Sequence, residues 1–377
     1  MRKVVTIFLL TLTTVLAIPP HLAAGDTDSP LQPIPVTDVN DETIGKNWEE
    51  RKSLIAAIDH SINYLRTSRA AKAYENYRVK SISRERVLKS LIRFRYLLRS
   101  SQSNAQFQQA VTREFVFYRS SGDDGQGNVK FTGYFEPIYK ASRKPTAEYK
   151  YPLYRKPANF SAWSQPHPTR ADLEGNDGLL GKQSILKGNE LVWLKDRLEA
   201  YLVHVQGSAK LLLPEGKFMS VGFDGNTNYP YRSIGKEMVK DGLFGPEQLT
   251  LPMVLDYLRT HPEELQNYLP RNDRFIFFRE THGAPPTGSI GVPVTAERSI
   301  ATDKSIMPPG ALALIRTEIP DKNLKPQLVS RFVLDQDTGS AIIGPGRVDI
   351  FMGTGELAKA RSGLINTPGE LYYLLLK

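Results

Sequence analysis

The sequence predicts a mainly β chain preceded by helices, and three observations carry that class. Apolar residues recur at helical spacing up to about residue 118, short alternating runs replace them from about residue 129, and glycines and prolines, 28 and 26 of 377 residues, divide those runs. The composition, 40% hydrophobic and 24% charged, is that of a globular chain long enough for one large or two medium domains.

The first residues set the expected compartment. Arg2 and Lys3 precede an apolar run from Val4 to Ile18, followed by the small residues Ala23, Ala24 and Gly25. This is the pattern of a secretory signal peptide over residues 1–24, cleaved near Ala24, with an uncleaved anchor as the alternative; the run is roughly 15 residues, short of the ~20 that a bilayer span requires. Residues 25–46, rich in Pro, Asp and Thr, predict a flexible leader. An exported chain with 49 Lys plus Arg against 40 Asp plus Glu suits an anionic envelope polymer or membrane surface. Nucleic acid is not an expected partner, because no basic run alternates with aromatic residues.

Helices are expected where Leu54, Ile58, Ile62 and Leu65 share a face, where Val87, Leu91, Arg95 and Leu98 follow a Ser83 cap, and where Phe107, Val111, Phe115 and Tyr118 recur. The cations between them, Arg84, Arg86, Lys89, Arg93, Arg95 and Arg99, form either a solvated face or a polymer-binding patch. Strands are expected at Val129–Phe135, Tyr151–Arg155, Tyr201–Gln206 and Lys217–Phe223, then helices at Tyr231–Lys240 and Pro246–Thr260. Further strands are expected at Arg274–Arg279, Ala311–Thr317, Leu328–Asp335, Arg347–Met352 and Leu371–Leu376, the spacing of a small barrel.

Chemistry narrows by elimination. Without cysteine there is no thiol nucleophile and no Cys-ligated metal, and no Gly-x-Ser-x-Gly, His-Glu-x-x-His or Walker pattern occurs. The six histidines are scattered, from His21 to His282, which argues against a metal site. Carboxylates remain. The densest signal is Leu334–Gly355, LDQDTGSAIIGPGRVDIFMGTG, where Asp335, Asp337 and Asp349 sit among glycines that let backbone approach a ligand. In a strand over Arg347–Met352, Asp349 and Phe351 share a face, so an acid stands beside an aromatic ring and desolvation should raise its pKa. The competing role for Asp337 and Asp349 is to bond turn amides. Upstream, Asp303 precedes a Pro308-Pro309-Gly310 turn and a strand.

These pieces, with FTGYFEP (Phe131 to Pro137), VQGSA (Val205 to Ala209), YRSIG (Tyr231 to Gly235) and FIFF (Phe275 to Phe278), resemble the membrane-bound lytic murein transglycosylase A family and its three-aspartate barrel. The resemblance runs from about Phe131 to the C-terminus. It implies a double-psi β-barrel domain, here 47–136 with 282–377, an inserted second β domain, 137–281, and a substrate groove between them. It further implies a lytic transglycosylase that cuts the β-1,4 bond between N-acetylmuramic acid and N-acetylglucosamine in peptidoglycan and leaves a 1,6-anhydromuramoyl end.

In such a reaction the sugar's own C6 hydroxyl attacks C1, so one acid can replace the usual carboxylate pair. The resemblance makes Asp349 that acid and then base, with Asp337 orienting Asp349 or the sugar. Thr132, Gly133, Tyr134, Gln206, Ser208, Tyr231, Arg232 and Ser233 become the expected glycan contacts. Tyr134 could instead be a packing residue, Gly133 a strand kink, and Arg232 half of an ion pair. Asp303 joins the substrate set, with fixing its turn as the competing role. No cofactor or metal is implied. The missing cysteine departs from the family's lipid anchor, so an unanchored monomer is expected, and Ser340 replaces a glycine usual in the family. Two alternatives remain: a hydrolase using Asp337 and Asp349 as base and acid, and a non-catalytic wall-binding protein.

Overall fold

The computed structural model describes residues 29–35, 40, 41, 43, 44, 48–75, 77–245, 249, 251–339 and 341–377. The expected signal peptide, half of the leader and Ser340 lie outside the described residues. In chain order, β1 (Leu31–Ile34) precedes four helices, α1 (Trp48–Leu65), α2 (Ser68–Glu75), α3 (Arg84–Ser100) and α4 (Asn104–Glu114). Strands β2 (Phe115–Ser120) and β3 (Val129–Glu136) follow. Next come β4 (Ile138–Ser142), β5 (Tyr151–Tyr154), α5 (Arg170–Glu174), β6 (Glu190–Leu194), α6 (Arg197–Gln206), β7 (Ser208–Leu212), β8 (Phe218–Asn226), α7 (Ile234–Lys240), α8 (Leu251–Thr260), α9 (Leu265–Tyr268) and β9 (Ile276–Glu280). The chain ends with β10 (Ser299–Ala301), β11 (Leu312–Pro320), β12 (Pro326–Asp337), β13 (Arg347–Thr354), α10 (Glu356–Leu364) and β14 (Asn366–Leu376).

Six of these strands close into a barrel in the order β14-β11-β12-β10-β13-β3, because β3 pairs with both β13 and β14; β2 and β1 extend it outside the ring. The β3–β13 and β10–β12 pairs are parallel and the other ring pairs antiparallel. The second sheet, β5-β6-β4-β7-β8-β9, is built wholly from residues 138–280 and has its own core with α6, α7 and α8. The chain therefore leaves the barrel after β3 and returns at β10.

The N-terminal helices pack on the barrel through aromatic rings. Phe94 of α3 sits 4.9 Å from Phe332 of β12 and 5.3 Å from Phe107 of α4, ring centre to ring centre. Ser83 caps α3 as expected, accepting from the Arg86 amide. The six cations do not form a free patch. Arg93 pairs with Glu114, Arg95 and Arg99 with Asp59, and Lys89 with Glu85, while Arg84 and Arg86 donate to the carbonyls of Leu65 and Leu376.

Four expectations need correction. The third helix stops at Glu114, because Phe115–Ser120 gains a full antiparallel ladder against β14 and leaves the helix for the barrel. Tyr201–Gln206 is the end of a helix and not a strand: Asp196 caps α6 by accepting from the Glu199 amide, and Gly207 ends it at φ +77°, a left-handed turn suited to glycine. Of the leader, Leu31–Ile34 pairs with β2 and buried Asp41 binds buried Arg298 at 2.7 Å, so it is partly structural. Gly133 is no kink. A Cβ there would stand 2.8 Å from the Ser362 Cα and 2.9 Å from Ile365 Cδ1, so glycine lets α10 lie against β3. Gly133→Ala should cost about 1–3 kcal/mol by overpacking, measured as a lower denaturant midpoint at unchanged slope.

Candidate active site

A groove of two adjoining cavities, about 480 and 200 Å³, runs between the barrel and the second sheet. Both are lined by Tyr134 and Asp337 from the barrel and by Gln206 and Tyr231 from the second unit. The smaller one holds Asp349, with Gly133, Ala301 and Ile342.

Asp349 sits on β13 with Ala301 opposite on one side and Thr132 opposite on the other. Burial pushes its carboxyl up to about 7, with Asp337 adding to the rise, while a Thr132 hydrogen bond and the Arg347 charge oppose it. Its Oδ1 is buried with no hydrogen-bond partner among the described residues. A buried oxygen without a partner favours the neutral acid, the form that can give a proton.

Asp337 is held differently. Its Oδ1 accepts from the Ser289 and Thr338 amides and its Oδ2 from the Tyr134 hydroxyl, each at 2.8 Å. Burial raises its pKa, and these donors work against the rise. With three donors engaged, this carboxylate is a brace more than a free base. The register between β10 and β12 shifts after Ile300, and this irregularity separates Asp335 from Asp337, which would share a face in a regular strand. Asp335 is fully buried and bound by Thr302, Lys304 and Tyr373, whereas Asp337 reaches the groove.

The other candidate residues divide. Gly133, Tyr134, Gln206, Ser208 and Tyr231 line the groove. Tyr134 also packs on Phe351 at 5.2 Å, so its packing and cavity roles coexist. Thr132 stands behind Asp349, outside the lining. Ser233 caps α7 by accepting from the Lys236 amide, and Arg232 lies 3.7 Å from Asp273; neither lines either of the two groove cavities. Asp303 is also outside: its carboxylate accepts from Ser305 and from the Gly344 amide, tying its own loop to the one before β13 and not to the Pro308-Pro309-Gly310 turn.

Sequence reasoning missed three contributors. Ala301, on a three-residue strand, separates the two key carboxylates and gives no compositional sign of it. The Pro285–Val294 loop forms a wall and presents the Ser289 amide, while Arg69 of α2 reaches across to the Ser289 carbonyl. Buried Glu136 lines the larger cavity with its carboxyl hydrogen-bonded by Thr354, and its place within FTGYFEP was the available signal. Among the described residues no His, Asp and Glu cluster could hold a metal ion.

A closed β-barrel whose groove carries one protonatable carboxyl and one braced carboxylate defines an enzyme equipped to break an acetal by acid catalysis. Residues 130–279 match the MltA specific insert domain and residues 298–375 the 3D domain. Membrane-bound lytic murein transglycosylase A of Escherichia coli K12 is 31% identical over 261 residues, 68% of each chain, and a Buchnera aphidicola homolog is 28% identical over 79% of this chain and 80% of its own. Among solved structures, the membrane-bound lytic murein transglycosylase from Agrobacterium tumefaciens superposes with a TM-score of 0.72 at 25% identity, covering 92% of this chain and 98% of that one. E. coli MltA with bound chitohexaose has the same fold, with a TM-score of 0.70 at 24% identity over 95% and 97% of the two chains. The chain belongs to the membrane-bound lytic murein transglycosylase A family.

Proposed function

We infer that this protein is a peptidoglycan lytic transglycosylase that cleaves the bond between N-acetylmuramic acid and N-acetylglucosamine, with Asp349 as its single acid and base. The observation that carries the mechanism is the contrast between the carboxylates. Asp349 has an unpaired buried oxygen and a pKa near 7, whereas the oxygens of Asp337 are occupied by three donors. Asp349 gives its proton to the glycosidic oxygen as the C1–O bond breaks. The C6 hydroxyl oxygen then bonds to C1, and its proton returns to Asp349. Tyr134, Gln206, Ser208 and Tyr231 supply the rings and polar groups of the glycan groove, which the chitohexaose held by the E. coli relative supports as a saccharide channel.

We place residues 137–281 in an inserted domain and residues 1–24 in a signal peptide cleaved near Ala24, with the enzyme acting in the periplasm or cell envelope. The relatives are membrane-bound; in this chain no described helix is long and apolar enough to cross a membrane, and there is no cysteine to carry a thioether lipid. A monomer suffices, since both walls of the groove come from one chain.

Mass spectrometry of sugars released from purified peptidoglycan tests the activity. Anhydromuramoyl ends are expected; reducing muramoyl ends would instead make water the nucleophile. The pH profile tests the acid. Since the free enzyme must hold its proton, kcat/KM should fall about tenfold per pH unit above about 7, and a profile flat from pH 6 to 9 would remove Asp349 as the acid.

A further inference from the structure

We propose that Arg347 is a positioning residue that acts through Thr132 to hold the ionised form of Asp349 between its two proton transfers. The proposal rests on the single-acid reading above. Arg347 and Asp349 are two residues apart on β13, so their side chains leave the same face of the strand. Thr132 lies directly opposite Asp349 on the parallel strand β3. Its Oγ1 accepts from Arg347 Nη2 at 3.4 Å, which leaves its own proton available to the Asp349 carboxyl across the ladder. The guanidinium thus binds the oxygen of a hydroxyl that stands in register opposite the acid. Neither Arg347 nor Thr132 lines the groove, so both act from behind the reacting carboxyl.

The mechanism gives this arrangement a task. Asp349 is an anion only after its proton has gone to the leaving oxygen and before the C6 hydroxyl proton replaces it. In that interval it needs a counter-charge, which must not be so strong that the resting acid loses its proton. The surrounding groups are few. Asp337 on β12 is the nearby negative charge and Arg347 the opposing positive one. On β3, Thr132 and Tyr134 are hydroxyls and Lys130 is exposed; on β10 the opposite residue is Ala301, and Asp303 beyond it is engaged with Ser305 and Gly344. Lys304 is turned to Asp335.

The test is the pH dependence of kcat/KM for anhydromuramoyl release from purified peptidoglycan by wild type, Arg347→Gln and Arg347→Lys. Losing the cation should raise the Asp349 pKa, moving the alkaline limb of Arg347→Gln up by about one pH unit. It should also lower kcat more than it changes KM, and Arg347→Lys should return the limb towards wild type. Thr132→Val, which keeps the shape but removes the relay, should shift the limb in the same direction and serves if Arg347→Gln does not fold. An active Arg347→Gln enzyme with lower kcat and an unmoved limb would reduce Arg347 to a packing role and overturn the proposal. The parallel Asp349→Asn assay separates the two failures. Cleavage by that variant would sink the single-acid reading itself, whereas a dead Asp349→Asn beside an unmoved limb would sink the Arg347 relay alone.

Discussion

Asp349→Asn should lose turnover by about a thousandfold or more, within the range that a positioned general acid contributes, while still binding glycan strands. The amide keeps the shape of the side chain and the Thr132 contact but has no proton of suitable acidity to give to the leaving oxygen. Binding should persist because the groove walls, Tyr134, Gln206, Ser208 and Tyr231, are untouched. Co-sedimentation with purified peptidoglycan beside product analysis measures both halves, and a variant that cleaves at the wild-type rate would exclude Asp349 from the chemistry. The substitution carries a second signature. The native carboxyl titrates near 7 and the unfolded one near the ordinary aspartate value of about 4, so the folded state binds the extra proton between those limits. Wild-type stability therefore declines as pH rises from about 4 to about 7. Asp349→Asn escapes that penalty, so its melting temperature should exceed wild type at pH 8 and converge with it towards pH 4. A gap of opposite sign would mean that the ionised carboxylate is a stabilising partner.

Asp337→Ala and Asp337→Asn should part company. Alanine leaves the part-buried Ser289 amide and Tyr134 hydroxyl without their shared acceptor, at up to about 1–3 kcal/mol for each, while the exposed Thr338 amide can turn to water. The Pro285–Val294 wall loses its tie to β12, and misplacement of groove groups can cost about a hundredfold in rate. Asparagine can still accept from both amides through Oδ1 and meet Tyr134 with its Nδ2, so it should fold normally and keep activity within about tenfold of wild type. A two-carboxylate hydrolase predicts the reverse for asparagine, because an amide cannot serve as the base. A dead but well-folded Asp337→Asn would favour that mechanism.

The sequence made some of this legible. Asp349 beside Phe351 at a strand end, with glycines around it, already contained the reason for a raised pKa, because strand alternation alone puts acid and ring on one face. The barrel strands from Leu312 onward were also legible, since β-branched and aliphatic runs bounded by Gly and Pro have few other solutions. Tyr201–Gln206 misled because an apolar run buried on nearly every side carries no period; the Asp196 cap and Gly207 stop were the better signals. Strand β10 has three residues and no pattern long enough to detect, yet Asp349 and Asp337 flank it. The Pro-Pro-Gly setting of Asp303 pointed to the wrong turn, since its carboxylate bonds Ser305 and, 41 residues away, the Gly344 amide, neither of which that setting signals.

Closure of the barrel makes the site a late product of folding. Strand β3 pairs with β13 and β14, so Thr132 meets Asp349 only after a loop of more than two hundred residues has been closed. Such non-local pairing is entropically costly and slow compared with the local helices of the N-terminal region. Strand β14 supplies the last ladder of the ring, reaching to Leu376. The acid and hydroxyl pair is therefore a product of long-range pairing that no local segment can supply.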